Sequence, residues 1–184
     1  MLRPHRAVRY LRGVPVSADE DPNGPGGAVD SLRPVSPGAA IPSDDEIAGL
    51  VGYRFAGGLR KVEHWENWLL TDCTQRQPMG GRQLHPVVLF HVPIQAASTS
   101  IGEIFSLCGG GPAGSVTLLG YEWEYLAAMS EDVVYRGDGG VTAVERHRGG
   151  DGRVVHDDIA FVIELTDPRD VTVARVTTRW RFLR

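Results

Sequence analysis

Residues 69–78 read LLTDCTQRQP, and Asp72 is the one acid in that stretch. It follows a tryptophan-bearing segment and opens a polar loop that closes on Pro78. A carboxylate so placed is either a solvated residue at a helix end or one half of an acid–base pair. Proton transfer requires a titratable group held within hydrogen-bond reach of the reacting atom. An imidazole is the natural partner, because its charge changes close to neutral pH. His85, just before Pro86, is either a turn histidine or that imidazole, delivered from a second loop. His91 lies two residues before Pro93 and is either a histidine packed against backbone or a substrate contact. His64, beside Trp65, reads as a partly exposed helix residue.

A second source of chemistry needs no special side chain. The first turn of a helix leaves backbone N–H groups unpaired, and the helix dipole favours negative charge there. If a helix starts at Pro93, the amides of Ile94 and Gln95 could hold a developing oxyanion, or else be capped by solvent or side chains. Ser98, Thr99 and Ser100 lack the G-x-S-x-G elbow of a nucleophilic serine. Cys73 and Cys108 form no CxxC pair, and no Cys/His cluster with zinc spacing accompanies them. No P-loop is present, nor any glycine loop between a strand and a helix of the dinucleotide-binding type. No metal and no cofactor are therefore expected.

These residues must be positioned by elements the pattern predicts. Ser43-Asp44-Asp45-Glu46 is a helix cap with an acidic first turn, followed by Ile47, Leu50 and Val51 at helical spacing. Residues 62–72 (VEHWENWLLTD) place Val62, Trp65 and Leu69 on one helical stripe, broadened by Trp68 and Leu70. Pro93 can start a helix but would break one in its interior. A long helix is predicted from about Pro93 to Cys108, with Ile94, Ala97, Ile101, Ile104, Phe105 and Cys108 on one broad stripe. Gly109-Gly110-Gly111 stops it. Tyr121, Trp123 and Tyr125 alternate with Glu122 and Glu124, and from there to the end the period is 2, which predicts antiparallel strands. Turns fall at 149–152 and at TDPRD, 166–170.

The chain of 184 residues suits one domain with a tail. Residues 1–42 are rich in Pro, Gly, Asp and Ser and cannot bury enough apolar area to offset their ordering entropy, so a flexible tail is expected there and a single domain over 43–184. A net charge of -4 argues against broad nucleic-acid binding. No run approaches a membrane span, and the arginine-rich start lacks the apolar core of a secretory signal, so a cytoplasmic protein is expected.

An apolar helix followed by antiparallel strands is best buried if a curved sheet wraps it, an α+β arrangement of the hotdog type. At this level the segment from Ser43 to Arg184 resembles the MaoC-like hotdog proteins, which act on thioesters of CoA or of a carrier protein. More narrowly, it is similar to the N-terminal, dehydratase-like half of two-hotdog members. The matching pieces are Gly52-Tyr53, the tryptophan helix before Asp72, the Pro93 helix, and the ending IAFVIELTDPRDVTVARVTTRWRF. The resemblance implies an enoyl-thioester hydratase or dehydratase working as a homodimer, or as a heterodimer with a second hotdog protein. Active members carry Asp, Asn-Pro and His within a few residues. Asp72 fits the first, but Gln77 holds the imidazole slot and Pro78 follows it rather than preceding it. That departure leaves open a catalytic pair of Asp72 with His85, a non-catalytic subunit that shapes an acyl tunnel, and a hotdog thioesterase using helix amides and water.

Overall fold

The computed structural model describes residues 41–111 and 114–184. Of the expected tail, residues 1–40 lie outside that range. Helix α1 (Asp44–Ala48) begins as the cap predicts. The Ser43 hydroxyl accepts from the Glu46 amide at 3.2 Å, and the Glu46 carboxylate accepts from the Ser43 amide at 2.7 Å. A short strand β1 (Gly58–Lys61) follows, then α2 (His64–Cys73), two 3-10 turns at Gly80–Arg82 and Pro86–Phe90, and helices α3 (Val92–Ala96) and α4 (Ile101–Leu107). Strands β2 (Val116–Tyr125), β3 (Val134–Arg148), β4 (Val154–Thr166) and β5 (Thr172–Leu183) complete the chain. Among the described residues no helix is long and apolar enough to cross a membrane.

The five strands form one antiparallel sheet in the order β1-β3-β4-β5-β2. Period 2 decides its faces. Along β4, Asp157, Ile159, Phe161, Ile163 and Leu165 are buried, whereas His156, Asp158, Ala160, Val162 and Glu164 lie on the opposite, partly solvated face. The four long strands and both turns match the sequence expectation. The short edge strand β1 had no signal, because four residues, GLRK, are too few to show alternation.

The long helix does not form. Pro93 sits in the first turn of α3 as expected, but the helix stops at Ala96 and a new one starts at Ile101. Ser98 adopts a left-handed backbone (φ 53°). The Ser100 hydroxyl caps α4 by accepting from the Glu103 amide at 3.1 Å. Ser and Thr offer the backbone local hydrogen bonds that compete with helix, and three in a row make an interruption. The apolar stripe survives in two pieces, with Ala97, Ile104 and Cys108 buried and Ile101 about a third exposed.

The second correction concerns α2. Trp65, Trp68 and Leu69 face solvent, at 61%, 51% and 47% exposure, and the buried face carries Glu66, Asn67 and Thr71. Burial of polar groups is tolerated because each has a partner.

Helix α3 lies directly on β1 and β3. A Cβ on Gly137 would fall 2.4 Å from the backbone carbon and Cβ of Ala96. A second tie fastens the end of α4. The buried Asp157 carboxylate accepts from Arg146 Nε and Nη2 (2.7 and 2.9 Å) and from Arg184 Nε (2.6 Å), while Arg184 also donates to the Cys108 and Gly109 carbonyls. Burial alone would raise the Asp157 carboxyl, but the guanidinium groups of Arg146 and Arg184 outweigh it and hold it below the usual range.

Gly137→Ala should cost about 1–3 kcal/mol by overpacking, read as a lower denaturant midpoint with an unchanged slope. For Asp157 the depressed folded value means that its stabilisation is present above the unfolded carboxylate's pKa, about 3.9, and fades as pH falls through the folded value. Asp157→Asn should cost about 3–5 kcal/mol at neutral pH, leaving two guanidiniums against a neutral amide. The variant should also lose less further stability than the wild type between about pH 4 and pH 2 in urea melts.

Candidate active site

The polar inner face of α2 organises this end of the molecule. Asn67 Nδ2 donates to Glu131 Oε1 at 2.7 Å and to the Gln83 carbonyl at 3.1 Å, and its Oδ1 accepts from the His85 amide at 3.0 Å. Glu131 also lies 2.9 Å from His64 Nδ1 and accepts from Arg82 Nε at 3.3 Å. Burial pushes the Glu131 carboxyl up, yet Asn67, His64 and Arg82 together hold it below its ordinary value. These bonds fasten the loop after α2 to its helix. The Tyr121 hydroxyl, donating to the carbonyls of Leu89 (2.9 Å) and Phe90 (2.7 Å), fixes the turn that leads into His91.

One residue earlier on α2, Glu66 joins a different group. Its Oε1 accepts from Arg60 Nη2 at 2.6 Å and stands 3.5 Å from His91 Nε2. Arg60 Nε donates to Gln95 Oε1 at 2.8 Å. Strand β1, helix α2, the residue preceding α3 and α3 itself thus bring Arg60, Glu66, His91 and Gln95 together at the start of α3. The Glu66 side chain is nearly buried and the imidazole is about a third exposed, so the pair is sheltered while solvent still reaches the ring. A carboxylate beside one ring nitrogen leaves the other nitrogen to face a reacting group, the usual arrangement of a histidine acid–base. No side chain caps α3. The Gln95 amide donates to the His91 carbonyl at 3.2 Å, whereas the Ile94 amide has no partner among the described residues. The Ile94 side chain opens a small apolar crevice, about 10 Å³, lined also by Ile101, Ile104, Phe161, Val176 and Trp180.

The sequence candidates fare differently. His91 and Gln95 lie in the cluster, and Ile94 borders it. Asp72 is exposed on α2, and its side chain makes no hydrogen bond or ion pair among the described residues. The His85 ring caps the next turn, its Nδ1 accepting from the Val87 amide at 3.2 Å. Burial and the charge of Arg76 hold this imidazole below its ordinary pKa, which suits a neutral ring with the proton on Nε2. Arg60 and Glu66 went unrecognised in the sequence: Glu66 follows the exposed Trp65 on a helix assigned the wrong inner face, and Arg60 lies on the strand that gave no signal. Cys108 is buried and its thiol is pushed up to about 12 by burial, which makes it a core residue rather than a nucleophile.

No protein-family model matches the chain, and no curated protein does. Solved structures do. A monoamine oxidase regulatory protein from Archaeoglobus fulgidus superposes with a TM-score of 0.51 at 10% identity, covering 73% of this chain and 90% of that one. A MaoC-like dehydratase from Rhodospirillum rubrum gives 0.43 at 16% identity over 73% and 92%. A hypothetical thioesterase from Streptococcus pneumoniae, solved with coenzyme A, gives 0.43 at 18% over 68% and 77%. At these identities the likeness is one of fold, and the fold is of the hotdog type.

Truncating Asn67 should leave Glu131 Oε1 and the His85 amide without their partner together. Asn67→Ala is expected to cost about 2 kcal/mol or more, seen as a drop of several degrees in melting temperature.

Proposed function

We propose that this chain acts on an acyl thioester, of CoA or of a carrier protein, as an enoyl hydratase or dehydratase, with His91 as its acid–base. The reading rests on one observation: an imidazole–carboxylate pair stands beside an uncapped helix start whose Ile94 side chain opens an apolar crevice. In the hydration direction the thioester oxygen lies at the Ile94 amide, which stabilises the charge that develops there. His91 Nδ1 takes a proton from water while the oxygen attacks the β-carbon, and the imidazolium returns that proton to the α-carbon. Glu66 stands 3.5 Å from the opposite ring nitrogen, and Arg60, which grips both Glu66 and Gln95, fixes the carboxylate. The crevice has room for about one water, so an acyl chain must part α3 and α4 from the sheet. The interruption at 97–100 is the natural place for that movement.

A second reading, a non-catalytic acyl-binding subunit paired with another hotdog protein, is favoured by the Asp72–Pro78 segment. There Asp72 faces solvent without a partner among the described residues, and the neighbouring Trp65, Trp68 and Leu69 are exposed apolar surface that a second subunit could cover.

Both are tested by assaying the purified chain on a medium-chain trans-2-enoyl-CoA, with free CoA release followed in parallel. His91→Ala and Glu66→Gln should each lower hydration by about 10²-fold or more, with Asp72→Asn and His85→Ala near wild type. Loss confined to Asp72→Asn and His85→Ala would transfer the chemistry to that pair. CoA release without hydration would indicate a thioesterase, and a wild type active only with a second hotdog chain would indicate the subunit reading.

A further inference from the structure

The sheet carries a second constellation on its solvated face, away from α3. The β3–β4 register sets His147 opposite His156 and Glu145 opposite Asp158, so two cross-strand pairs form a square beside the 149–152 turn. The imidazoles stack with centroids 4.3 Å apart and planes 22° from parallel. His147 Nε2 lies 3.7 Å from Asp158 Oδ2 and 3.4 Å from Glu145 Oε1, and His156 Nε2 lies 3.9 Å from Asp158 Oδ1. None of these contacts is aligned as a hydrogen bond. Both Nε2 atoms are shielded from solvent and lack a hydrogen-bond partner among the described residues. A shielded ring nitrogen without a partner costs free energy, and here two of them share the Asp158 carboxylate.

We propose that His147, His156 and Asp158 bind a divalent transition-metal ion of the zinc class, with Glu145 or water in the fourth position. The donor set is borderline-soft nitrogen with one carboxylate, which suits zinc rather than calcium or magnesium. One atom from each of the three residues lies within 4.8 Å of the other two. Tetrahedral ligation at about 2.1 Å places donor atoms about 3.4 Å apart. The Asp158 oxygens already approach that spacing, and the imidazoles reach it by rotation about χ2, a broad torsion. Arg181, opposite Asp158 on β5, donates Nε and Nη2 to the two carboxylate oxygens at 2.8 and 2.7 Å. Each oxygen keeps a further lone pair, so the guanidinium orients the carboxylate without using it up. Glu145 is 74% exposed and free to swing in. The bound ion would tie β3 to β4 beside their turn, stabilising the folded chain in proportion to free metal.

The test uses the full chain, freed of metal by chelation. Zn²⁺ should bind with a stoichiometry of one in competition with a chromogenic chelator, and Co²⁺ should develop the visible absorption of a nitrogen-ligated site. Saturating Zn²⁺ should raise the melting temperature by about 5 °C or more. His147→Ala and His156→Ala should abolish the absorption and the stabilisation, whereas His91→Ala and Cys73→Ser should retain both. If either alanine variant does not fold by circular dichroism, His147→Gln and His156→Gln take their place. Absence of Zn²⁺ retention by the wild type, or undiminished binding in both histidine variants, overturns the proposal.

Discussion

The close approach of α3 to the sheet is the constraint on which the rest depends. Gly137 leaves its Cβ position to the backbone of Ala96, and Gly58 on the edge strand leaves its own to Ser98. With side chains at these two points, α3 would ride higher and its first turn would leave Arg60 and Glu66. The helix is short and stops at Ala96, so this contact, with the buried Val92 and Pro93, sets its depth. The contact that packs the core therefore also sets the distance between an imidazole and its carboxylate.

Helix α2 meets the molecule through polar contacts, and this divides its work. Asn67 and Glu131 hold the helix and the following loop in place, and Glu66, one residue earlier, faces the start of α3. The apolar residues that hydrophobic spacing assigned to the inside, Trp65, Trp68 and Leu69, are left outside. A buried polar face is stable only when its partners are in place, so α2 and its loop are specified together.

The two faces of the sheet carry different chemistry because strand side chains alternate. Inward positions pack against α3 and α4, and outward positions form cross-strand ion pairs such as Arg175 with Glu164 and Arg181 with Asp158. At the 149–152 end this ladder changes character. Two histidines stand where a further acid–base pair would otherwise complete it, and their ring nitrogens are left with carboxylates but no aligned bond.

The sequence by itself determined the sheet, since period 2 over four long strands has one reading, and Ser43, Pro93 and the 166–170 turn mark element ends through local backbone chemistry. It determined that the 93–108 region is apolar on one side, because Ala97, Ile104 and Cys108 remain buried whether or not the helix is continuous. It could not decide the helix break, where three hydroxyl residues compete with apolar spacing that favours continuation. Nor could it orient α2: hydrophobic periodicity reports burial against apolar surroundings, and the inner face of α2 is buried against charges. The pairings of Glu66 with His91 and of His147 with His156 belonged to the tertiary structure. The first joins a helix to a distant turn by way of an edge strand too short to show a pattern. The second depends on hairpin register, which the turn residues fix only once the strands have paired.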